Sequence, residues 1–342
     1  MKLDLFHYDL PEKFIAQQPL ERRDQSKLLI LEKKTGRIKH DFFYNIKNYL
    51  NKGDILVLNE SKVSKCRLIG FKEKTGAKIE CLVLKKISRN HFASNKYLTL
   101  LKPSKRIKQN DRVAIGGYFF EVEERLDCGK AIVKFSSKLD EIIEKYRKVP
   151  LPPYIKKDDI KEERYQTVYA GVKGSAAAPT AGFHFTRKLI DELKKNGIKF
   201  AKLRLDIGLD TFRPIVEEEI EEHIIHSEHF FLSGFQAKKI ITAREIGGRV
   251  IAVGTTSTRV IETVMTEQSI LKESKDDTNL YIYPGYRFKI VDAMITNFHL
   301  HYSTLLVMVS AFAGRENILM AYEEAKKKNY RFYSFGDCMF IY

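Results

Sequence analysis

Across residues 201–207 the chain alternates: Ala201, Leu203, Leu205 and Ile207 are apolar, while Lys202, Arg204 and Asp206 are charged. That period of two predicts a strand with one buried and one polar face, and it sets Asp206 on the polar face near the strand's carboxyl end. Just before it, Thr186 is placed to cap a helix running to Lys195, and Gly197 stands where a left-handed helix stop is expected. The unit then repeats as a helix over about 235–246, a Gly247-Gly248 stop, a strand over 249–253 and a helix beginning near Ser257. Ile318, Leu319, Tyr322 and Ala325 recur at helical spacing within 316–328. Nearer the start, residues 27–32 read as a strand, Lys34-Thr35-Gly36 as a turn and Ile38 onward as its hairpin partner, followed by a buried strand over 53–58. Helices alternating with strands predict an α/β sheet with helices on its faces.

Between about Gly70 and Val149 the pattern changes to short strands separated by turns, at 78–84, 97–102, 112–115, 118–124 and 131–135. Even spacing of this kind predicts a small barrel, with a tight hairpin at Gly116-Gly117. Pro150, Pro152 and Pro153 close the segment, since proline fixes φ and withholds a ladder donor. The expected architecture is a layered α/β main domain, residues 1–69 and 150–342, with an inserted small all-β barrel domain, residues 70–149.

Composition adds partners and compartment. A chain of 342 residues with 44% apolar and 30% charged residues has ample material for a core and no long disordered tract. Sixty Lys and Arg against 44 Asp and Glu leave a net charge of +16. Nucleic acid is therefore a candidate partner, although a surface loaded with solvated lysine, as at Lys326-Lys327-Lys328, produces the same excess. Cys66, Cys81, Cys128 and Cys338 have no paired spacing and are expected as core thiols in a reducing compartment. The N-terminal segment lacks an apolar signal core. The longest apolar run, 304–314, is far short of the ~20 residues of a membrane span, so a cytoplasmic protein without a membrane partner is expected.

The candidate chemistry lies in loops. Ala178-Pro179-Thr180-Ala181-Gly182-Phe183-His184-Phe185-Thr186 packs turn formers, hydroxyls and an imidazole ahead of a helix, and Thr296-Asn297-Phe298-His299 sets an amide beside a second imidazole. In open α/β sheets ligands collect outside the carboxyl ends of strands, where loops lead into helix N-termini. Two further polar loops fit that location: residues 208–214, with Thr211 and Arg213, and residues 254–259, with Thr255, Thr256 and Arg259. Each has a plainer reading: the Gly254 loop as an ordinary Ser/Thr cap, and His184 or His299 as a core histidine bonded to backbone. His223, His226 and His229 stand at i, i+3 and i+6 beside Glu222 and Glu228. Helical metal ligands pair at i and i+4 and no second cluster completes a set, so hydrogen-bonding roles are expected, with His226 and Glu228 the likelier site members.

Read together, these loops resemble the S-adenosylmethionine:tRNA ribosyltransferase-isomerase family of queuosine biosynthesis. The motifs run in one order along nearly the whole chain. They are Tyr8-Asp9-Leu10-Pro11 with Ile15-Ala16-Gln17-Gln18-Pro19, the strand from Gly53 to Asn59, Leu151-Pro152-Pro153-Tyr154-Ile155, Arg164-Tyr165-Gln166-Thr167-Val168-Tyr169-Ala170, the Pro179 loop, and Gly248-Arg249-Val250-Ile251-Ala252-Val253-Gly254-Thr255-Thr256-Ser257. Tyr283-Pro284-Gly285-Tyr286, the runs from Ile295 to Leu300 and from Ser303 to Gly314, Tyr330-Arg331-Phe332 and Gly336-Asp337 complete them. The resemblance implies transfer and isomerisation of the ribosyl part of S-adenosylmethionine onto a 7-aminomethyl-7-deazaguanine base at the tRNA wobble position. The implied products are epoxyqueuosine-tRNA, adenine and methionine. It further implies S-adenosylmethionine as co-substrate, no permanently bound cofactor, no metal, a tRNA with a GUN-type anticodon, and by default a monomer.

Such chemistry needs a base beside the sulfonium, donors for departing adenine and a cradle for ribose. His184 and His299 are the proton-transfer candidates, with Asp206 a third catalytic candidate at its strand end. Thr180, Thr211, Thr255, Thr256 and Asn297 are candidate ribose and methionine contacts, and Arg213, Arg259 and Arg331 candidate holders of the methionyl carboxylate or the RNA backbone. His226, Glu228 and Asp337 join the substrate-binding set. The chain departs from the family pattern at Asp206 and Asp210, where His and Gly are usual, and at His301-Tyr302 in place of Pro-Lys. New carboxylates near a cationic sulfonium would alter the local field. A non-catalytic or retuned tRNA-binding paralogue is therefore the alternative. A methyltransferase is disfavoured, since no glycine-rich strand-to-helix loop followed by a ribose-binding acid is present.

Overall fold

A computed structural model describes residues 1–63, 67–87, 95–148, 150–157, 160–208, 211 and 213–342. They form two compact units, one of Met1–Lys62 with Pro152–Tyr342 and one of Val63–Leu151.

The larger unit is built on a nine-stranded sheet. Its strands are β1 (Lys27–Leu31), β2 (Ile38–Phe42), β3 (Ile55–Asn59), β10 (Lys199–Leu205), β11 (Glu228–Leu232), β12 (Val250–Val253), β13 (Ser274–Thr278), β14 (Ala293–Asn297) and β15 (Cys338–Ile341), in the order β13-β11-β10-β3-β12-β14-β15-β1-β2. The central four, β10, β3, β12 and β14, run parallel, so their carboxyl ends share one edge. The apolar runs of the inner strands follow from burial on both faces. Ile55 and Val57 of β3 and Val250 and Ala252 of β12 enter one apolar cluster, with residues of α3 (Gly234–Glu245), α4 (Thr255–Gln268), α5 (Thr304–Ala313) and α6 (Arg315–Lys327). Their alternates Leu56, Leu58, Ile251 and Val253 enter a second, with Leu189, Ile190 and Leu193 of α2 (Arg187–Lys195). In β10, Ala201, Leu203 and Leu205 are buried while Lys202 and Arg204 are half-buried, as the alternation predicts. Thr186 caps α2 by accepting from the Leu189 amide at 3.1 Å.

The smaller unit is a closed antiparallel six-stranded barrel of β4 (Arg67–Lys72), β5 (Lys78–Lys86), β6 (Lys96–Lys102), β7 (Arg112–Ile115), β8 (Tyr118–Arg125) and β9 (Lys130–Phe135), in the order β9-β6-β5-β4-β7-β8. Leu68, Ile79, Val113, Phe120, Val133 and Phe135 fill it, joined by Leu139 and Ile142 of α1 (Leu139–Tyr146). β4 is the strand the sequence pattern conceals, because Gly70 interrupts it. A side chain there would meet the Ala114 carbonyl at 2.5 Å, so the glycine marks a close approach of two strands.

Three further readings find their place in the fold. The histidines at 223, 226 and 229 occupy no common helix: residues 223–227 are irregular and His229 lies in β11. Cys81 and Cys338 are buried, as core thiols would be, whereas Cys66 lies outside the described residues. Among the described residues no single helix is long and apolar enough to cross a membrane; α5, the longest apolar run, is a buried helix.

Candidate active site

At the shared carboxyl edge of the parallel strands lies a cavity of about 600 Å³. Three strand-end loops feed it. After β12 the chain turns at Gly254, whose φ of +88° suits glycine, and enters α4 without a side-chain cap. The plainer reading of Thr255 and Thr256 as caps therefore fails. Both line the cavity, at the start of a 14-residue helix whose first amides lack intrahelical partners.

After β14 come Asn297 and His299, both on the cavity wall. Thr180, from the Pro179 loop, donates to Asn297 Oδ1 at 3.0 Å. Asn297 Nδ2 donates to the Tyr333 carbonyl at 3.2 Å and to His184 Nε2 at 3.3 Å. An amide nitrogen only donates, so Nε2 of His184 is the acceptor and its Nδ1–H donates to Ser26 Oγ at 2.7 Å. Burial, reinforced by the charges of Arg331 and Arg23, lowers the His184 imidazole to about 3, so it is neutral. His184 thus stands behind Asn297 and does not line the cavity; the structure corrects its reading as a group facing substrate.

His299 does face the cavity. Its Nε2 lies 2.8 Å from Thr296 Oγ1, its amide donates to Tyr322 Oη at 2.8 Å, and its carbonyl accepts from Tyr8. Desolvation holds its imidazole below the ordinary range, leaving it neutral.

Thr211 reaches the cavity through a buried network. Glu228 Oε1 accepts from the Gly208 amide and from Thr211 Oγ1, both at 2.9 Å, and lies 3.2 Å from His226 Nε2. Its other oxygen pairs with Arg259, whose Nε and Nη2 donate to the carbonyls of Leu280 and Thr278 at 3.2 and 3.1 Å. Burial alone would raise the Glu228 carboxyl, but His226, Arg259 and the Gly208 amide outweigh it and hold it below its ordinary value. Arg259, Glu228 and His226 thus support the Thr211 loop and do not line the cavity, which corrects their placement as direct substrate contacts.

Other candidates also lie elsewhere. Asp206, the third catalytic candidate, is bound by Arg204 through two hydrogen bonds, at 2.9 and 2.6 Å, and does not line the cavity. Asp210 lies outside the described residues, and Arg213 is exposed and off the cavity wall. Asp337 is buried and off the cavity wall, accepting from the amides of Lys27 at 3.0 Å and Arg331 at 2.7 Å. Arg331 lines a separate, smaller cleft.

The sequence reading missed Tyr154, Tyr333 and Ser334. All three line the cavity, and Tyr154 Oη and Ser334 Oγ are 2.7 Å apart. Tyr333 holds φ at +70°, costly for an aromatic residue and the kind of backbone found at functional sites. The signal for Tyr154 was its place in the Leu151-Pro152-Pro153-Tyr154-Ile155 motif, and for Tyr333 and Ser334 adjacency to Tyr330-Arg331-Phe332. Among the described residues no three His, Cys, Asp or Glu side chains converge on a metal position.

Comparison with known proteins agrees with the resemblance. The family model for queuosine biosynthesis protein matches residues 3–341. The S-adenosylmethionine:tRNA ribosyltransferase-isomerases of Thermoanaerobacter sp. (strain X514) and Caldanaerobacter subterraneus subsp. tengcongensis are each 49% identical to the chain over 345 residues, covering 100% of both sequences. A crystal structure of an S-adenosylmethionine tRNA ribosyltransferase from Thermotoga maritima is 36% identical, covers 99% of this chain and 100% of its own, and superposes with a TM-score of 0.57.

Proposed function

The chain belongs to the queuosine biosynthesis protein family, and from that premise we propose that it is an S-adenosylmethionine:tRNA ribosyltransferase-isomerase acting at the strand-end cavity. It moves and isomerises the ribosyl group of S-adenosylmethionine onto the 7-aminomethyl-7-deazaguanine base at the tRNA wobble position, and releases adenine and methionine. The observation that carries the choice of site is the convergence of a helix N-terminus, an amide, an imidazole and several hydroxyls in one cavity at the carboxyl edge of the parallel strands.

The roles follow from the chemistry each group can supply. The α4 amides with Thr255 and Thr256 suit the methionyl carboxylate, because helix N-termini gather anions. Thr180, Asn297 and Thr211 offer donors and acceptors to ribose hydroxyls. His299 is the group we assign to proton removal beside the sulfonium, since its imidazole faces the cavity next to the Thr296 hydroxyl. The hydroxyls of Tyr154 and Ser334, a hydrogen-bonded pair on the cavity wall, are the groups we assign to departing adenine. His184 is a positioning residue that acts through Asn297, fixing the amide's orientation by the bond to Nε2. The partner is a tRNA with a GUN-type anticodon, and the enzyme works as a cytoplasmic monomer.

The alternative, a paralogue retuned by new carboxylates, loses support at Asp206, whose charge Arg204 neutralises away from the cavity. Incubation with S-adenosylmethionine and tRNA carrying the aminomethyl-deazaguanine base tests the proposal by mass analysis of nucleosides and of released adenine. Epoxyqueuosine with stoichiometric adenine is expected, and tRNA binding with no adenine release would refute it. His299→Ala should lower turnover by about 10² to 10⁴, the usual span for a lost general base; unchanged turnover would remove His299 from the proton path.

A further inference from the structure

A second cleft, of about 300 Å³, adjoins the first and is lined by Arg23, Arg164, Arg331, Ser26, His184 and Ser334. Ser334 lines both hollows, and His184 forms part of the cleft wall while holding Asn297 of the cavity.

The three guanidinium groups are fixed mainly by neutral partners. Arg23 donates to the carbonyls of Gln166 and Glu163, both at 2.7 Å, and its guanidinium carbon lies 5.6 Å from the centre of the Phe183 ring. Arg164 donates to the carbonyls of Glu21, at 3.2 Å, and Leu20. Arg331 donates to the Gln18 carbonyl at 3.2 Å. Among the described residues, the carboxylate within 4 Å of any of the three is that of Asp337, 3.7 Å from Arg331 and already bonded to two amides. Asp24, the nearest acid along the segment, lies 3.6 Å from Arg22 instead. Carbonyls orient a guanidinium without neutralising it, so the cleft gathers cations that repel one another until an oxyanion enters.

The geometry points to this cleft as the seat of a backbone phosphate of the tRNA substrate, next to the nucleotide whose base enters the cavity. This rests on the tRNA-modifying reading above. A phosphodiester is favoured over the methionyl carboxylate on three grounds. The α4 N-terminus already offers the cavity its own anion site. The arginines are half-buried at the cleft, within reach of a polymer lying on the surface. Forked donors from several arginines match the several oxygens of a phosphate better than the two of a carboxylate. Seating the phosphate here would also fix the register of the strand relative to the cavity.

The test is equilibrium binding of an unmodified tRNA transcript between about 50 and 200 mM salt, a range over which phosphate contacts dominate the change in affinity. The variants are Arg23→Gln and Arg164→Gln, with Arg23→Lys and Arg164→Lys as charge-retaining controls and circular dichroism as a check on folding. Each Gln variant should bind about tenfold more weakly at low salt, and the slope of log K against log salt should shrink, by at most about 0.7 to 0.9, the value of the one phosphate contact the arginines share. The Lys variants should keep the slope, and the KM for S-adenosylmethionine should stay unchanged. An unchanged slope in folded Gln variants overturns the assignment. So does a raised KM for S-adenosylmethionine with tRNA binding intact, which would mark a carboxylate subsite, or Lys variants that lose as much slope as Gln, which would mark a structural role. The binding measurement requires no turnover, so a wild-type protein that binds with the expected slope but releases no adenine supports the cleft while refuting the catalytic reading.

Discussion

Arg259→Met should uncouple the floor of the site from its rim. Arg259 is 4% exposed and Glu228 3% exposed, and the pair is reinforced by the carbonyls of Thr278 and Leu280 on one side and by Gly208, Thr211 and His226 on the other. Removing the guanidinium leaves the carboxylate in the interior with His226, a hydroxyl and an amide as its partners, a loss of about 3 to 5 kcal/mol for a buried pair broken on one side. Replacing both residues, as Glu228→Gln with Arg259→Met, removes the stranded charge and should recover at least about 1 kcal/mol of that loss. Urea unfolding of the wild type, both single variants and the double variant gives the coupling directly. Because Glu228 also holds the Gly208 amide and Thr211 Oγ1, the single variant should raise the KM for S-adenosylmethionine more than it lowers turnover. A single variant costing less than about 1 kcal/mol, the span of an exposed pair, would refute the reasoning, as would a double variant no more stable than Arg259→Met.

Other outcomes follow from the same geometry. His184 is held at about 3 in the folded chain, against an ordinary value near 6.5 in the unfolded one. Its contribution is therefore fully present above about pH 6.5 and is lost as pH falls toward 3, because the unfolded state binds the proton first. Between pH 7 and 5 the wild type should lose about 2 kcal/mol more than His184→Asn, and equal losses in urea titrations would contradict the buried neutral imidazole. Asp206→His should change kcat by less than about fivefold, the equivalent of about 1 kcal/mol for a partly exposed ion pair; a much larger rise would mean that this acid does tune the site. Glu262 is fully buried and accepts from the amides of Lys289, Ile290 and Val291 at 2.9 to 3.1 Å and from Tyr286 Oη at 3.0 Å. Glu262→Ala leaves those groups without their acceptor and should cost at least about 3 kcal/mol, read from thermal or urea unfolding, with a smaller cost showing that water replaces the carboxylate.

The parallel core was legible because burial on both faces writes unbroken apolar runs, as in Val250-Ile251-Ala252-Val253, and because Thr186 and Gly197 punctuate the helix between strands. The members of the cavity were legible as residue types at strand ends: Thr180, Thr211, Thr255, Thr256, Asn297 and His299 do meet there. What could not be read was which charges are spent internally. Arg259 stands 31 positions from Glu228 and Asp337 stands 310 from Lys27, so the partners that consume their hydrogen-bonding capacity are brought together only by the fold. The reverse error occurred at Tyr333 and Ser334, whose importance arises from a backbone turn that leaves no mark in composition. β11 was hidden by the spacing of His223, His226 and His229, of which only the last lies in the strand, and β13 by having no apolar periodicity at all.

That second concealment has its own use. β13 and β2 are the two margins of the nine-stranded sheet, where unpaired main-chain groups would otherwise invite a strand from another molecule. β13 reads Ser-Lys-Asp-Asp-Thr with Lys275, Asp276 and Asp277 exposed, and β2 exposes Lys39 and His40. Charged side chains along a margin make a flush second strand costly, and the barrel removes its margins by closing. The polar composition that disguises β13 as a loop thus guards the molecule against sheet-to-sheet aggregation, and replacing Asp276 and Asp277 with valine would make the chain easier to recognise as β-structure and harder to keep in solution.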